Sequence, residues 1–301
     1  MANTYIYQAV WENKLAQRLD KPQNWKDVCD VVYTDAQTYN FPLVSTSNEP
    51  AVATLTNTAA GRSTLSNVIP FVDVTQTNET LSIITAEIVS NYMDYADQAA
   101  SNYAKQAAMG ELLGKKMTER IEAISLANHA NWTDFGDTGS GVLGLASTAI
   151  TVTESNIDDI IRGIIEQIHT ANGTNLYMEN GGFAEWRPAD FTKLVTFMQA
   201  NGFAFADEAL RDGGKGRMGK ESLGLYHYLS TSHTAAHVFA GVRKVQKLGF
   251  LNGTFGKTYV NEMPASSTAG SLSGTQIHTR ADYGLLVPTN LKPCLFDVNV
   301  A

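Results

Sequence analysis

Apolar residues recur at three- and four-residue steps over one long stretch, residues 92–130. This spacing lines them along one face of an α-helix, and they are Tyr92, Tyr95, Ala99, Tyr103, Leu113, Met117, Ile121 and Ile124. Glu111 lies four residues before Lys115, so the two charges can pair on the helix surface. The pattern predicts one long helix over residues 92–130.

The chain before this helix is rich in β-forming residues between positions 50 and 84. Thr54–Thr58 and Ser66–Val74 favour strands, and Gly61–Ser63 between them is typical of a turn. These segments predict a long two-stranded hairpin. Because an isolated hairpin is marginally stable in water, we expect it to lie on another surface, most simply that of a second copy of the chain.

Short helices and strands follow the long helix, and strands end the chain. Helices are predicted at Ile157–His169, capped by Thr153 or Ser155, and at Ala189–Ala200, opened by Pro188. Residues 27–45 predict irregular structure or short helical pieces. Strands are predicted at 150–152, 184–187, 223–230, 236–250, 255–262, 275–281, 283–288 and 293–300. A β-rich end after a helical middle indicates the α+β class.

Composition indicates a surface with few charges. The chain has 301 residues, of which 44% are hydrophobic and 17% are charged, whereas about a quarter is usual for charged residues. Neutral polar groups cost less to bury than charges, so this surface is suited to forming interfaces.

The formal charge of −8 comes from one region. Residues 27–104 hold nine acids and one base, Arg62, while the rest of the chain has 21 of each sign. This distribution lacks the basic surface of a nucleic-acid-binding protein. The acidic region is expected to steer subunits towards basic residues of a neighbour, with these candidates: Arg211, Lys215, Arg217 and Lys220, or Arg243, Lys244 and Lys247.

The sequence contains no recognisable targeting signal and no cysteine motif. Cys29 and Cys294 are far apart and form no metal or redox spacing, so a reducing compartment is expected. The first residues lack the pattern of a signal peptide. No run of apolar residues approaches the roughly 18 needed to cross a membrane, so no membrane partner is expected.

Three motifs invite a catalytic or ligand-binding interpretation. Asp137–Ser140 matches an aspartic-protease signature, but that chemistry needs two carboxylates and the motif occurs once, so a turn is the expected role. Gly214–Glu221 resembles a phosphate-binding loop with Glu221 in the Ser/Thr position. His233 and His237, with His227 nearby, lack the Glu that a zinc protease needs. We expect no catalytic, cofactor-binding or metal-binding residues; a hydrolase using Asp137 is a remote alternative.

The order of parts resembles the tailed-phage major capsid protein family, which has the Hong Kong 97 fold. The resemblance rests on an N-terminal arm, a long hairpin, one long helix, a mixed middle and closing strands. Local segments also carry it: Leu81–Ile84 leading to Tyr92–Asp97, Pro188–Leu194, Gly219–Ser232 and Tyr283–Val287. It covers nearly the whole chain, without a rigid motif.

The resemblance implies both a domain plan and a function. The plan is an N-terminal arm at 1–45, an extended loop at 46–88, a peripheral domain with the long helix at 89–139, an axial domain at 140–258 and peripheral return strands at 259–301. The implied function is self-assembly into pentamers and hexamers of an icosahedral shell around double-stranded DNA.

The implied location is the virion, with assembly in the host cytoplasm, and the implied partners are a separate scaffold, a portal and decoration proteins. Some family members crosslink subunits through a loop lysine, but no lysine lies between Lys26 and Lys105, so noncovalent assembly is expected. An encapsulin-like compartment of the same fold is the alternative. Assembly-interface candidates are Arg62, Asp73, Glu79, Lys215, Arg217 and Lys220.

Overall fold

The computed structural model describes residues 21, 23–44, 76–94, 105–139, 141–201, 221–232, 237–263 and 274–301. Its α-helices are α1 (Trp25–Val28), α2 (Lys105–Ala127), α3 (Ile157–Thr170), α4 (Thr174–Asn180) and α5 (Pro188–Ala200), and 3-10 turns lie at Asn128–Asn131 and Lys292–Cys294. The first strands are β1 (Asp30–Thr34), β2 (Thr38–Val44), β3 (Gln76–Ser82), β4 (Thr85–Asp94), β5 (Thr133–Asp137) and β6 (Leu143–Gly144). The later strands are β7 (Gly182–Trp186), β8 (Leu225–Leu229), β9 (His237–Val242), β10 (Lys247–Leu251), β11 (Lys257–Met263), β12 (Gly274–Leu286) and β13 (Leu295–Asn299).

A six-stranded mixed sheet, in the order β6-β5-β13-β9-β7-β8, forms the centre of the larger core. On one face, the ring of Phe135 lies against Gly163 of α3, whose isoleucines are buried. On the other face, Trp132 packs edge-on against Phe183 and Phe239. Because both faces are covered, every residue of β7 is buried, including a glutamate.

A second sheet of five strands contains the longest strand, β12. β4 pairs with one edge of β12, while β10 and β11 pair in succession with the other edge, and β1 adds to β10. Helix α2 packs on one face of this sheet, where Leu113, Val89 and Ile277 form a small apolar cluster. Among the described helices, none is long and apolar enough to cross a membrane.

Several predicted elements are present with nearly the expected bounds. Helix α3 spans Ile157–Thr170 and α5 spans Pro188–Ala200, starting at the predicted proline. The residue that precedes α3 is Asn156 and not the predicted Thr153 or Ser155. The side-chain oxygen of Asn156 accepts a hydrogen bond from the Thr153 N–H at 2.8 Å. The strands after residue 223 are also found, and the α+β class is confirmed.

Other predictions were wrong in their type or bounds. Residues 92–94 belong to strand β4, and the described part of the long helix begins at Lys105, because β4 pairs with β12 along its whole length. Residues 30–34 and 38–44 are strands instead of irregular or helical pieces. The two strands predicted between 275 and 288 are one strand of 13 residues, and 236–250 divides into β9 and β10. Residues 150–152 make only an isolated bridge, from Ile150 to Val300.

Candidate assembly surface

A two-stranded antiparallel ribbon flanks residues 45–75. Thr38–Val44 pairs with Gln76–Ser82 in continuous register, so residues 45–75 begin and end at the same end of the ribbon. The predicted hairpin within this segment, together with Arg62 and Asp73, lies outside the described residues. The structure therefore describes the two strands at the base of the segment, whose ends at Val44 and Gln76 lie side by side.

Close backbone packing holds this base on the five-stranded sheet. Leu81 and Ile83 are fully buried and lie over Gly249, where an added Cβ would come within 2.6 Å of Leu81 and 3.0 Å of Ile83. Gly284 is the register partner of Gly249, and a Cβ there would overlap the backbone oxygen of Ser82. The pair of glycines allows the chain to cross the sheet at van der Waals distance.

Glu79 adds a polar anchor at the same base. Both of its carboxylate oxygens accept hydrogen bonds from the backbone N–H of Thr289, at 2.9 and 3.1 Å. Hydrogen bonds to an ionised acceptor are stronger than neutral ones. Glu79 is thus engaged within its own subunit, and its role in contacts between subunits stays a prediction.

The face of the five-stranded sheet opposite α2 carries partly exposed apolar side chains beyond the base of the ribbon. Ile88, Tyr92 and Tyr259 point away from α2 and are 56%, 43% and 36% exposed. The ring of His278 stacks on Tyr259 with 5.2 Å between centroids. Exposed aromatic and branched side chains that share one face are typical of protein–protein contacts, so this face is a candidate assembly surface.

Two carboxylates of the acidic region are paired with basic side chains of the same subunit. Asp30 pairs with Lys247 at 2.6 Å, and Glu87 pairs with Arg120 at 3.0 Å. Lys244 donates to the backbone oxygens of Lys26 and Cys29. Lys244 and Lys247 are thus engaged with this subunit's own N-terminal segment, and their attraction to the acids of a neighbouring subunit stays a prediction.

Arg243 is likewise used inside the subunit. Its Nε donates to the backbone oxygen of Asn180 at 2.8 Å, and its guanidinium lies 4.1 Å from the ring centroid of Tyr226. Arg211, Lys215, Arg217 and Lys220, the other basic candidates, lie outside the described residues.

Two buried glutamates join the N-terminal segment, the long helix and the six-stranded sheet. The Oε2 atom of Glu122, in α2, accepts hydrogen bonds from the backbone N–H groups of Asn24 and Trp25, at 3.0 and 2.9 Å. Glu185 is 1% exposed. Burial raises the pKa of Glu122 to about 7, against the opposing effect of these two N–H groups. Burial and the charge of Glu122 raise the pKa of Glu185 well above its ordinary value.

Comparison with known proteins finds the fold but no sequence relative. No protein-family model matches the chain, and no curated protein matches it. A solved chain of Mycobacterium phage Che8 aligns with a TM-score of 0.63 at 14% identity, covering 99% of this chain and 98% of that one. The chain shares the fold of this phage chain.

Two further structures extend this likeness. The capsid structure of the cyanophage P-SCSP1u aligns with a TM-score of 0.57 at 12% identity, covering 98% of this chain and 93% of that one. The asymmetric unit of the bacteriophage PhiM1 mature capsid gives 0.59 at 14% identity, with 98% and 92% covered. The resemblance expected from the order of parts is thus confirmed for the fold.

The motif at Asp137 has the geometry of a turn. Its Oδ1 atom accepts hydrogen bonds from the N–H groups of Gly139 and Gly141, at 2.8 and 3.2 Å. Both glycines have positive φ angles, 124° and 81°, which suit glycine in a tight loop. This carboxylate thus stabilises the loop between β5 and β6. The glycine-rich segment 214–220 lies outside the described residues.

The histidines are arranged differently from the sequence expectation. His227 is fully buried, with Nδ1 accepting from Trp186 Nε1 at 3.0 Å and Nε2 bonded to the Ser222 oxygen at 2.9 Å. Burial lowers the pKa of His227 to about 4, so it is a neutral, fully engaged core residue. His237 instead meets His129 and Asp297, while His233 lies outside the described residues.

Sequence reasoning missed the buried carboxyl pair and the cluster at His237. A weak signal existed for Glu185, which lies between Ala184 and Trp186 in a short apolar run bounded by Gly182. A charged residue in such a run is expected to be buried with a specific partner. No local signal in the sequence connects His129 with His237 and Asp297. These residues are far apart along the chain, and they meet only because β9 pairs with β13 and the turn after α2 packs on that pair.

Proposed function

We propose that the chain is a major capsid protein that assembles, without covalent crosslinks, into pentamers and hexamers of an icosahedral shell around the double-stranded DNA of a tailed phage. The observation that carries the proposal is the alignment of 98% of the chain with a chain of the PhiM1 mature capsid. A likeness over the full length supports a common architectural use better than a match to one small motif would.

The surface features of the subunit suit such assembly. The ends of β2 and β3 that flank residues 45–75 lie side by side, and the face bearing Ile88, Tyr92 and Tyr259 offers an apolar contact. We propose that, within the extended loop at 46–88, the part before β3 lies over a neighbouring copy, while β3 and the residues after it hold the loop on its own subunit. Arg62 and Asp73 would be among the contacts of this loop with its neighbour. Lys215, Arg217 and Lys220, in the axial domain, would form further contacts between subunits.

The domain plan follows the same proposal. The N-terminal arm is 1–45, the segments 89–139 and 259–301 form the peripheral domain, and the axial domain at 140–258 surrounds the capsomer centre. The net charge of −8 favours an inner surface that holds DNA without tight binding, since phosphate contacts are strong and independent of sequence. Scaffold, portal and decoration proteins would be separate chains, and the shell would form in the host cytoplasm.

Electron microscopy of the purified protein tests the proposal. Uniform icosahedral particles are expected, and a monodisperse monomer at high concentration would contradict assembly. Particles from infected cells should protect DNA from nuclease; an enclosed enzyme in place of DNA would instead identify an encapsulin-like compartment. Asp137→Asn should leave assembly unchanged, whereas a proteolytic activity lost in this variant would favour the hydrolase alternative.

A further inference from the structure

Three side chains from distant parts of the chain converge at the end of the long helix. His129 lies in the 3-10 turn that follows α2, His237 opens β9, and Asp297 lies in β13. Nδ1 of His129 is 2.7 Å from Oδ2 of Asp297, and Nδ1 of His237 is 2.8 Å from Oδ1. One carboxylate therefore faces two imidazole nitrogens, and the three groups offer ligand atoms within 4.8 Å of one another.

Strand register explains the convergence. Asp297 is the antiparallel partner of Phe239, and His237, two residues before Phe239, projects from the same face of the sheet. The turn after α2 brings His129 over this face. The rings of His129 and His237 lie 4.6 Å apart, and each packs on Phe239, at 5.3 and 6.2 Å.

The cluster is rigid on one side and accessible on the other. Asp297 is 4% exposed and Phe239 is fully buried, so the carboxylate is held in place by the sheet. The side chains of His129 and His237 keep 21% and 23% of their surface exposed. A small cation can therefore reach the nitrogen and oxygen atoms from solvent without a rearrangement of the core.

Further acidic and polar groups lie on the same face. Asp134 of β5 is the parallel partner of Asp297 and is exposed, so a second carboxylate adds negative potential beside the first. Asn299 is the partner of His237, and its buried Nδ2 has no hydrogen-bond partner within the described part of the chain. The second carboxylate favours a bound cation, whereas the Asn299 Nδ2 is a donor that can bond to the oxygen of a water beside it.

We propose that His129, His237 and Asp297 form a site for a divalent transition metal of the zinc type. Two imidazole nitrogens and one carboxylate oxygen are common zinc ligands, at about 2.0–2.2 Å, and a fourth position remains for water. Ligands of a tetrahedral ion at such distances are roughly 3.3 Å apart, so the present separations must widen by about half an ångström. The ion replaces the protons between the nitrogens and the carboxylate.

The site has a structural consequence that does not depend on assembly. It adds metal–ligand bonds to the hydrogen bonds and ring contacts that join the turn after α2 to two central strands of the six-stranded sheet. A ligand that binds only the folded state stabilises it by mass action. With free Zn²⁺ about a hundredfold above the dissociation constant, the thermal midpoint should rise by roughly 4 °C.

Zn²⁺ titration of the full-length protein, after treatment with EDTA and desalting, tests the site. Calorimetry should give one tight Zn²⁺ per chain, and substitution by Co²⁺ should give the visible absorption of a low-symmetry nitrogen and oxygen site. His129→Gln and His237→Gln should each weaken binding by about tenfold or more and remove most of the metal-dependent rise in thermal midpoint. His169→Gln, which changes an exposed histidine at the end of α3, is the matched control and should behave like the wild type.

Two results would overturn the proposal. The first is the absence of stoichiometric binding by the wild type at neutral pH. The second is binding that survives in both cluster variants, which would place the ion elsewhere on the chain. Because each comparison uses the difference between metal-loaded and metal-free samples of one variant, a general loss of stability in that variant does not imitate the expected result.

Discussion

Glu122→Gln tests the buried carboxyl pair with a nearly isosteric change. Glutamine keeps an oxygen that can accept the N–H groups of Asn24 and Trp25, which now bond to the carboxylate of Glu122 at 3.0 and 2.9 Å. It removes the ionisable group and with it the repulsion that raises the pKa of Glu185. Any change in the pH dependence of stability therefore reports on the charge and not on lost packing.

The magnitude follows from the pKa of Glu122. Burial raises it from 4.5 to about 7, and one unit corresponds to about 1.4 kcal/mol, so the shift amounts to about 3 kcal/mol. The folded state binds the proton more tightly than the unfolded state, so this contribution is complete below pH 4.5 and is lost as the pH rises through 7. The pKa of Glu185 is also raised, by burial and by the charge of Glu122, so its contribution to stability is likewise lost as the pH rises.

Urea unfolding of the soluble, unassembled subunit between about pH 5 and pH 8 measures the effect. The wild type and Glu122→Gln should have similar free energies of unfolding at the acidic end, and the variant should be more stable by about 3 kcal/mol at the basic end. Glu111→Gln is the matched control, because this glutamate is 65% exposed in a surface pair with Lys115; its difference from the wild type should stay small and nearly constant. A difference between wild type and Glu122→Gln that is the same at all pH values would refute the reasoning.

Three further predictions concern the extended loop, its base on the five-stranded sheet, and the basic residues proposed to steer assembly. Deleting residues 50–80 should leave a soluble subunit that forms no closed shell, as judged by size-exclusion chromatography and microscopy; closed particles from this variant would contradict the proposed role of the loop. Gly284→Ala places a methyl group against the Ser82 carbonyl oxygen and should lower the free energy of unfolding by about 1–3 kcal/mol; an unchanged urea midpoint would show that the crossing tolerates a side chain. Replacing Lys215 and Arg217 by glutamate should slow assembly and make it more sensitive to salt, as followed by light scattering, and unaltered kinetics would argue against electrostatic steering.

Elements with strong local signals were predictable from sequence. Helix α3 has isoleucines at helical spacing that are buried in the structure, and α5 begins at Pro188 because proline suits the first turn of a helix. In both cases the local backbone preference and the buried face agree. The order of such elements was also enough to indicate the fold that the structural comparison confirmed.

Where local pattern and strand pairing disagree, pairing decides. The spacing of Tyr92, Tyr95 and Ala99 is that of a helix, yet Tyr92 lies in β4, which gains a continuous ladder with β12. Likewise, residues 38–44 have no strong strand signal and become a strand because Gln76–Ser82 pairs with them. These ladders join residues far apart in sequence, so no window of sequence contains the deciding interactions.

The sequence by itself determined the α+β fold class, the charge distribution and the absence of lysine from residues 27–104. Composition and periodicity are properties of the chain and do not depend on its tertiary structure. The tertiary structure decided which charges are free and which groups meet. It paired Asp30 with Lys247, buried Glu122 beside the N-terminal segment, and brought His129 to Asp297. Each of these contacts spans about a hundred residues or more, and only the packing of two sheets against one long helix sets such distances.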